Sequence, residues 1–231
     1  MTSVSTTRPA QQRRPGPGRT GWPVPIALVL LSLIPVVSGV LRLVEVSGGP
    51  ELLPANPRIA ASPAPLVVHV VASALYALVG AGQFWTRLRH RHRGWHRGAG
   101  RVLVVAGMLV AGSGLWMTLF YPDAPGGVLL WTVRLVVGAA MAMSIVLGFS
   151  AIRRRDIVAH RAWMVRGYAL GLGAGTQIFT EGVGEAVVGT GGLTKALSMA
   201  AGWAFNAVVA ELVIRRPIAR RHRARAQVVA S

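Results

Sequence analysis

Six stretches of this chain are each long and apolar enough to cross a bilayer, a property that excludes nearly every water-soluble fold. They run at about residues 23–43, 65–86, 100–120, 128–150, 162–188 and 195–214. A hydrocarbon core of roughly 30 Å takes about 20 mostly apolar residues as a helix. Inside it only helices and closed barrels satisfy their backbone hydrogen bonds. These runs are continuous rather than alternating, so the expected fold is all-α, a polytopic six-helix transmembrane bundle over residues 22–214. Composition agrees at the one point where it decides something: charged residues make up 14% of the chain, against about 25% in soluble domains.

The charges that remain are sorted. The formal net charge of +18 comes from 25 basic and 7 acidic residues. The basic residues gather in the N-terminal segment, in 87–101 (RLRHRHRGWHRGAGR), in 153–166 (RRRDIVAHRAWMVR) and in the tail from 215. The other connections are different: 44–63 holds Glu45, Glu51 and four prolines, 121–127 reads YPDAPGG, and 189–194 reads GTGGLT. With six spans every basic segment falls on one face, and the positive-inside rule makes that face cytoplasmic, with both termini on it. Basic residues confined in this way report topology rather than a phosphate-binding groove, so no nucleic-acid partner is expected. Residues 1–21, rich in Pro, Gly, Arg and Thr, read as a disordered basic tail, and 215–231 as a second basic tail. The pair Arg13 and Arg14 before the first span lacks a following A-x-A cleavage pattern, so the first helix is read as uncleaved. The chain has no cysteine, which removes disulfides and thiolate chemistry.

Ionisable groups inside hydrocarbon are costly and mark functional sites by default. Here they fall into two layers. The outer layer holds His69, Arg134, Glu181 and Glu185, with Arg42 and Glu45 at its rim. At helical spacing His69, Ser73, Tyr76, Gly80 and Gln83 share one face of the second span, and Gln177, Glu181 and Glu185 step by four along the fifth. An Arg as deep as Arg134 calls for a carboxylate, and Glu181 stands at a suitable depth. The plain reading is a buried Arg–Glu pair fixing helix register. The sharper one is a polar cavity where His69 and a carboxylate handle protons, an ion or a polar substrate. No H-E-x-x-H spacing occurs, and no metal site is expected.

The inner layer holds Gln83, His96, Arg97, Arg101, His160, Arg161, Arg166 and Glu211. His96 and His160 open two different spans at equal depth, the placement in which two imidazoles grip the iron of a b-type haem. The plain alternative has both solvating the interface or meeting lipid phosphate. Glu211 is expected to neutralise Arg101 or Arg166, while His90, His92 and His222 read as solvated. Pro35 is expected to bend the first span. Gly167, Gly171 and Gly175 form a small-residue face suited to close helix approach, from this chain, a second copy or a membrane partner.

Two segments carry a resemblance. HRGAGR from His96 to Arg101, followed by Gly107 and by Ser113-Gly-Leu115, and HRAWMVRGYAL from His160 to Leu170, resemble the bacterial predicted membrane proteins grouped as domain of unknown function 2306. The resemblance covers about residues 65–214, including His69 and Gln83. The chain departs from that pattern at Gly167, where Ser is usual, and at Gln177 and Glu181, where a basic residue is common. The resemblance implies a multi-pass protein of the bacterial cytoplasmic membrane and carries no activity. The leading functional expectation is a bundle that binds a polar ligand or a b-type haem, in a membrane redox role. A small-solute or proton-coupled transporter, a non-catalytic membrane subunit, and an enzyme on lipid or isoprenoid substrates stand as alternatives. The last lacks an Asp-rich diphosphate motif.

Overall fold

A computed structural model describes residues 21–56, 59, 62–122 and 126–229, with side chains through Arg216. The tail expected to be disordered (1–20), Asp123, the end of the basic tail and the side chain of His222 lie outside the described residues. Within them the chain is helical and no strand occurs. The helices are α1 (Pro23–Val46), α2 (Ala64–Gln83), α3 (Thr86–Arg91), α4 (Arg93–Phe120), α5 (Gly127–Arg153), α6 (Ile157–Gly171), α7 (Gly173–Val188) and α8 (Gly192–Val229). Among the described residues five of them, α1, α2, α4, α5 and the Gly192–Arg216 part of α8, are long and apolar enough to cross a membrane. Their outer faces carry exposed Leu, Val, Ile and Phe, among them Leu30, Val105, Phe149 and Phe205. So much apolar surface is stable only against lipid.

The fifth expected span departs from a single helix. Residues 162–188 belong to α6 and α7, which meet at Leu172. The sequence there is Gly171-Leu172-Gly173, and glycine lowers helix stability by about 1 kcal/mol per residue. At the junction the Gly175 amide bonds the Leu172 carbonyl at 3.1 Å, an i to i+3 contact in place of the α-helical one. The indole of Trp203 on α8 fills the space beside Gly173 where a side chain would otherwise stand. Hydropathy continues unbroken across this point, so only the backbone reveals it. Asp156 caps α6, its carboxylate accepting from the Ala159 amide at 2.9 Å, and starts the helix at Ile157. The tail beyond residue 214, expected to be separate from the last span, continues α8 as helix to Val229.

The helices pack in a closed ring: α1 on α2, α2 on α4, α4 on α5, α5 on α6, α6 on α8, α8 on α7, and α7 back on α1. The chain therefore changes neighbours at Leu172, since α6 rests mainly on α5 whereas α7 rests on α8 and α1. Asn206 of α8 ties the two halves together. Its amide donates to the Ala169 carbonyl of α6 at 3.1 Å and its oxygen accepts from Thr176 of α7 at 2.8 Å. A core of Tyr76, Leu103, Val110, Met141, Ile145, Tyr168 and Leu172 fills the ring's middle.

The glycine face expected to receive a partner helix is occupied by the chain itself. A methyl at Gly171 would meet the Tyr76 ring, one at Gly167 would touch Ile145 and Tyr76, and one at Gly175 would run into the backbone of Leu31. Close approach is its use, as small residues allow, but the helices that approach are α1, α2 and α5.

Candidate functional site

A cavity of about 420 Å³ opens inside the ring, walled by α1, α2, α4, α5, the α6–α7 junction and α8. It runs from Asn56 and Tyr121, at the end bearing the acidic and proline-rich connections, down to Met141, Leu172 and Trp203. Most of its wall is apolar, with His69, Ser73, Thr118, Arg134 and Gln177 among the polar exceptions. The volume and the character of the wall match those of small-molecule sites, which are concave, mostly apolar and oriented by a few polar groups.

Each polar group is set by its helix. His69 on α2 donates from Nδ1 to the Val110 carbonyl at 3.2 Å and to Ser113 Oγ at 3.0 Å. Ser113 spends its own proton on the Leu109 carbonyl at 2.5 Å, so toward His69 it can only accept. A carbonyl cannot donate either, which assigns the proton of the neutral ring to Nδ1 and leaves Nε2 as an acceptor. Gln177, 5% exposed, donates from Nε2 to the Met199 carbonyl at 3.1 Å, which fixes the amide's orientation and leaves Oε1 as an acceptor. Arg134 on α5 reaches Met199 Sδ at 3.9 Å.

Of the outer-layer residues, the structure brings His69, Arg134 and Gln177 to one cavity. The expected Arg134–Glu181 pair is corrected: among the described residues Glu181 pairs with Lys195 of α8 at 3.6 Å. Depth along a span does not determine the face a residue occupies, and Glu181 is carried with α7 onto α8. Glu185 is exposed and lies off the cavity wall. At the rim Arg42 and Glu45 pair at 2.6 Å, and the Glu45 carboxylate also receives the Leu52 and Leu53 amides.

The inner layer is a separate place. His160 donates from Nδ1 to the Gly148 carbonyl at 2.8 Å. The Nδ1 of His96 and the Nε2 of Gln83 are buried without a hydrogen-bond partner. Arg166 meets Glu211 at 2.6 Å and stacks 4.7 Å from the centre of Trp163, while Arg215 approaches the same carboxylate at 3.5 Å. Of the two partners expected for Glu211, Arg166 is thus the one found. Arg101 and Arg161 are exposed. Among the described residues no group of three or more His, Cys, Asp or Glu is placed to hold a metal ion.

An aromatic layer divides the two. On α2 the face reads His69, Tyr76, Gly80, Gln83, steps of about 1.5 Å per residue, so Tyr76 sits midway between the layers. Its ring lies 5.7 Å from Tyr168, which lies 4.9 Å from Phe84 and donates to the Ala77 carbonyl at 2.7 Å.

Residues 66–214 match the family model described as predicted membrane protein, DUF2306. The chain belongs to this family. The match begins in α2 and ends in the apolar part of α8, so it takes in both polar layers and leaves out α1, which supplies one wall of the cavity. No curated protein and no solved structure matches the chain. The sequence pattern missed Asn206, and it marked Ser113 only as part of the resemblance and Trp203 only as a deep aromatic. A lone Asn within an apolar run was the available signal for Asn206, whereas Trp203 and Ser113 gain meaning only from the glycine and the histidine they face.

Proposed function

We propose that this protein binds a small amphipathic molecule within the membrane, in the cavity bordered by His69, Arg134 and Gln177. The observation that carries this is the cavity itself, enclosed by lipid-facing helices and reached by polar groups from α2, α5 and α7. The accompanying topology is six crossings, with α6 and α7 forming one broken span and both termini on the basic, cytoplasmic face. On this reading residues 22–214 form one membrane domain of the bacterial cytoplasmic membrane, with Glu181 and Glu185 peripheral to the ligand. A broken helix lining a cavity is also how carriers build binding sites, so uptake of the bound molecule into vesicles separates transport from binding alone.

The test is ligand-dependent stability. Ala74 faces the cavity from α2, and Ala74→Phe fills part of it. Membrane-soluble compounds that raise the melting temperature of the parent in nanodiscs should leave the variant unmoved. A broad panel that shifts both proteins alike, or neither, overturns the reading.

A b-type haem between His96 and His160 is the second reading. It is favoured by the His160 Nδ1 bond to Gly148, since ligating histidines commonly donate the other ring nitrogen to a carbonyl. Arg101, Arg161 and Arg166 would supply cations near its propionates. Protein purified from haem-replete cells should then show a Soret band that His96→Ala and His160→Ala abolish, and a parent without the band ends this reading.

A further inference from the structure

We infer that the cavity selects a neutral, membrane-soluble molecule bearing hydrogen-bond donors, an alcohol or phenol, whose O–H groups go to His69 Nε2 and Gln177 Oε1. The inference deepens the ligand-binding reading and rests on it. Its basis is the direction of the hydrogen bonds already made. His69 Nδ1 is held by two acceptors, Val110 O and Ser113 Oγ, so the neutral ring keeps Nε2 as an acceptor on a residue that lines the cavity. Gln177 is 5% exposed with one amide N–H committed to Met199 O, so its oxygen is an acceptor on a residue that lines the cavity from α7.

Both histidine and glutamine could in principle donate or accept; the neighbours of His69 have removed its choice, while Gln177, with one amide N–H committed to Met199 O, keeps its oxygen as an acceptor beside one remaining N–H. A donor-bearing ligand gives these acceptors partners that an ether or a hydrocarbon cannot supply. A carboxylate would have to turn away from both acceptors, toward Arg134 and the remaining Gln177 N–H. An ammonium would find no Asp or Glu among the described lining residues, and a charge in this setting is expensive without one. The apolar remainder of the wall, including Val36, Val137 and Met141, suits a hydrocarbon body.

The probes are naphthol, its methyl ether, which keeps the rings and loses the O–H, and naphthoate, which replaces the donor with an anion. Each is titrated against the full chain in phospholipid nanodiscs, with partition into protein-free nanodiscs subtracted. Naphthol should bind saturably about tenfold more tightly than the ether, the ratio expected for one good hydrogen bond. His69→Phe and Gln177→Met, on different helices so that one misfolded variant does not void the test, should each narrow that ratio to about threefold or less. Equal binding of naphthol and ether overturns the donor assignment and leaves cavity binding standing. Naphthoate binding most tightly overturns it in favour of an anion. No saturable binding of any probe, with both variants folded, overturns this inference together with the reading beneath it.

Discussion

Gly175 of α7 packs directly against the backbone carbonyl of Leu31 in α1. That carbonyl is the one Pro35 leaves without its usual donor, because proline has no N–H to return to the residue four before it. The proline thus exposes a polar backbone atom inside the bundle, and the glycine lets a neighbouring helix come close enough to cover it. The contact ties α1, which lies outside the family match, to the broken span beside the cavity.

Gly175→Ala should therefore destabilise the protein although alanine is the better helix former. The new methyl would overlap a backbone atom that cannot rotate away, and overpacking of this kind costs about 1–3 kcal/mol, more than the roughly 1 kcal/mol that alanine gains in propensity. Gly112→Ala is the control, since a methyl there has nothing within 4 Å. Thermal unfolding in nanodiscs should place Gly175→Ala below the parent and Gly112→Ala at or above it.

Asn206→Leu tests what holds the break together. The substitution keeps the branched shape at somewhat larger volume and removes the bonds to Ala169 and Thr176, one on each side of Leu172. Interhelical hydrogen bonds in membranes contribute about 0.6 kcal/mol on average and up to about 1.7, so a loss of about 1 kcal/mol is expected. Hydrogen exchange should rise at residues 169–176 more than in α4; a uniform rise would mean that Asn206 has no local role.

The two orphaned atoms of the inner layer give a prediction of opposite sign. Gln83 Nε2 and His96 Nδ1 are buried without partners, and replacing an unsatisfied group by an apolar one of similar shape is neutral or stabilising. In ligand-free protein Gln83→Leu should leave stability unchanged or raise it by about 1 kcal/mol. A fall of that size in a melting curve would show that Gln83 has a partner which the substitution removes.

How much of this was legible beforehand differs by level. The bundle was, because apolar runs of bilayer length have few other solutions. The polar face of α2 was as well: His69 and Ser73 do reach the cavity, since helical periodicity fixes relative direction on one helix. Pairings between helices were legible only in part: Glu211 does meet Arg166, one of its two expected partners. Arg134 and Glu181 share a depth, yet Glu181 follows α7 to Lys195, and nothing local to either residue encodes that rotation. The glycines at 167, 171 and 175 announced a close approach without saying whose. The break at Leu172 was hidden because hydropathy is blind to backbone geometry and the apolar content runs straight through it.

Topology supplies the last test, and the absence of cysteine from the chain makes it clean. At 1.5 Å per residue, α6 with 15 residues and α7 with 16 each reach only about 23 Å, short of a roughly 30 Å core. Together they are long enough. If they cross as one broken span, the α5–α6 connection and the α7–α8 connection lie on opposite faces; if the chain turns back at Leu172, they share one. Single cysteines at Ser47, Arg154 and Gly191 sample the α1–α2, α5–α6 and α7–α8 connections, and all three residues are exposed. With six crossings a membrane-impermeant maleimide should modify Ser47→Cys and Gly191→Cys in intact cells, and Arg154→Cys only after lysis. Labelling of Gly191→Cys together with Arg154→Cys would instead make α6 and α7 a re-entrant pair and leave five crossings. The cavity would then be lined by a loop that never leaves its own face of the membrane.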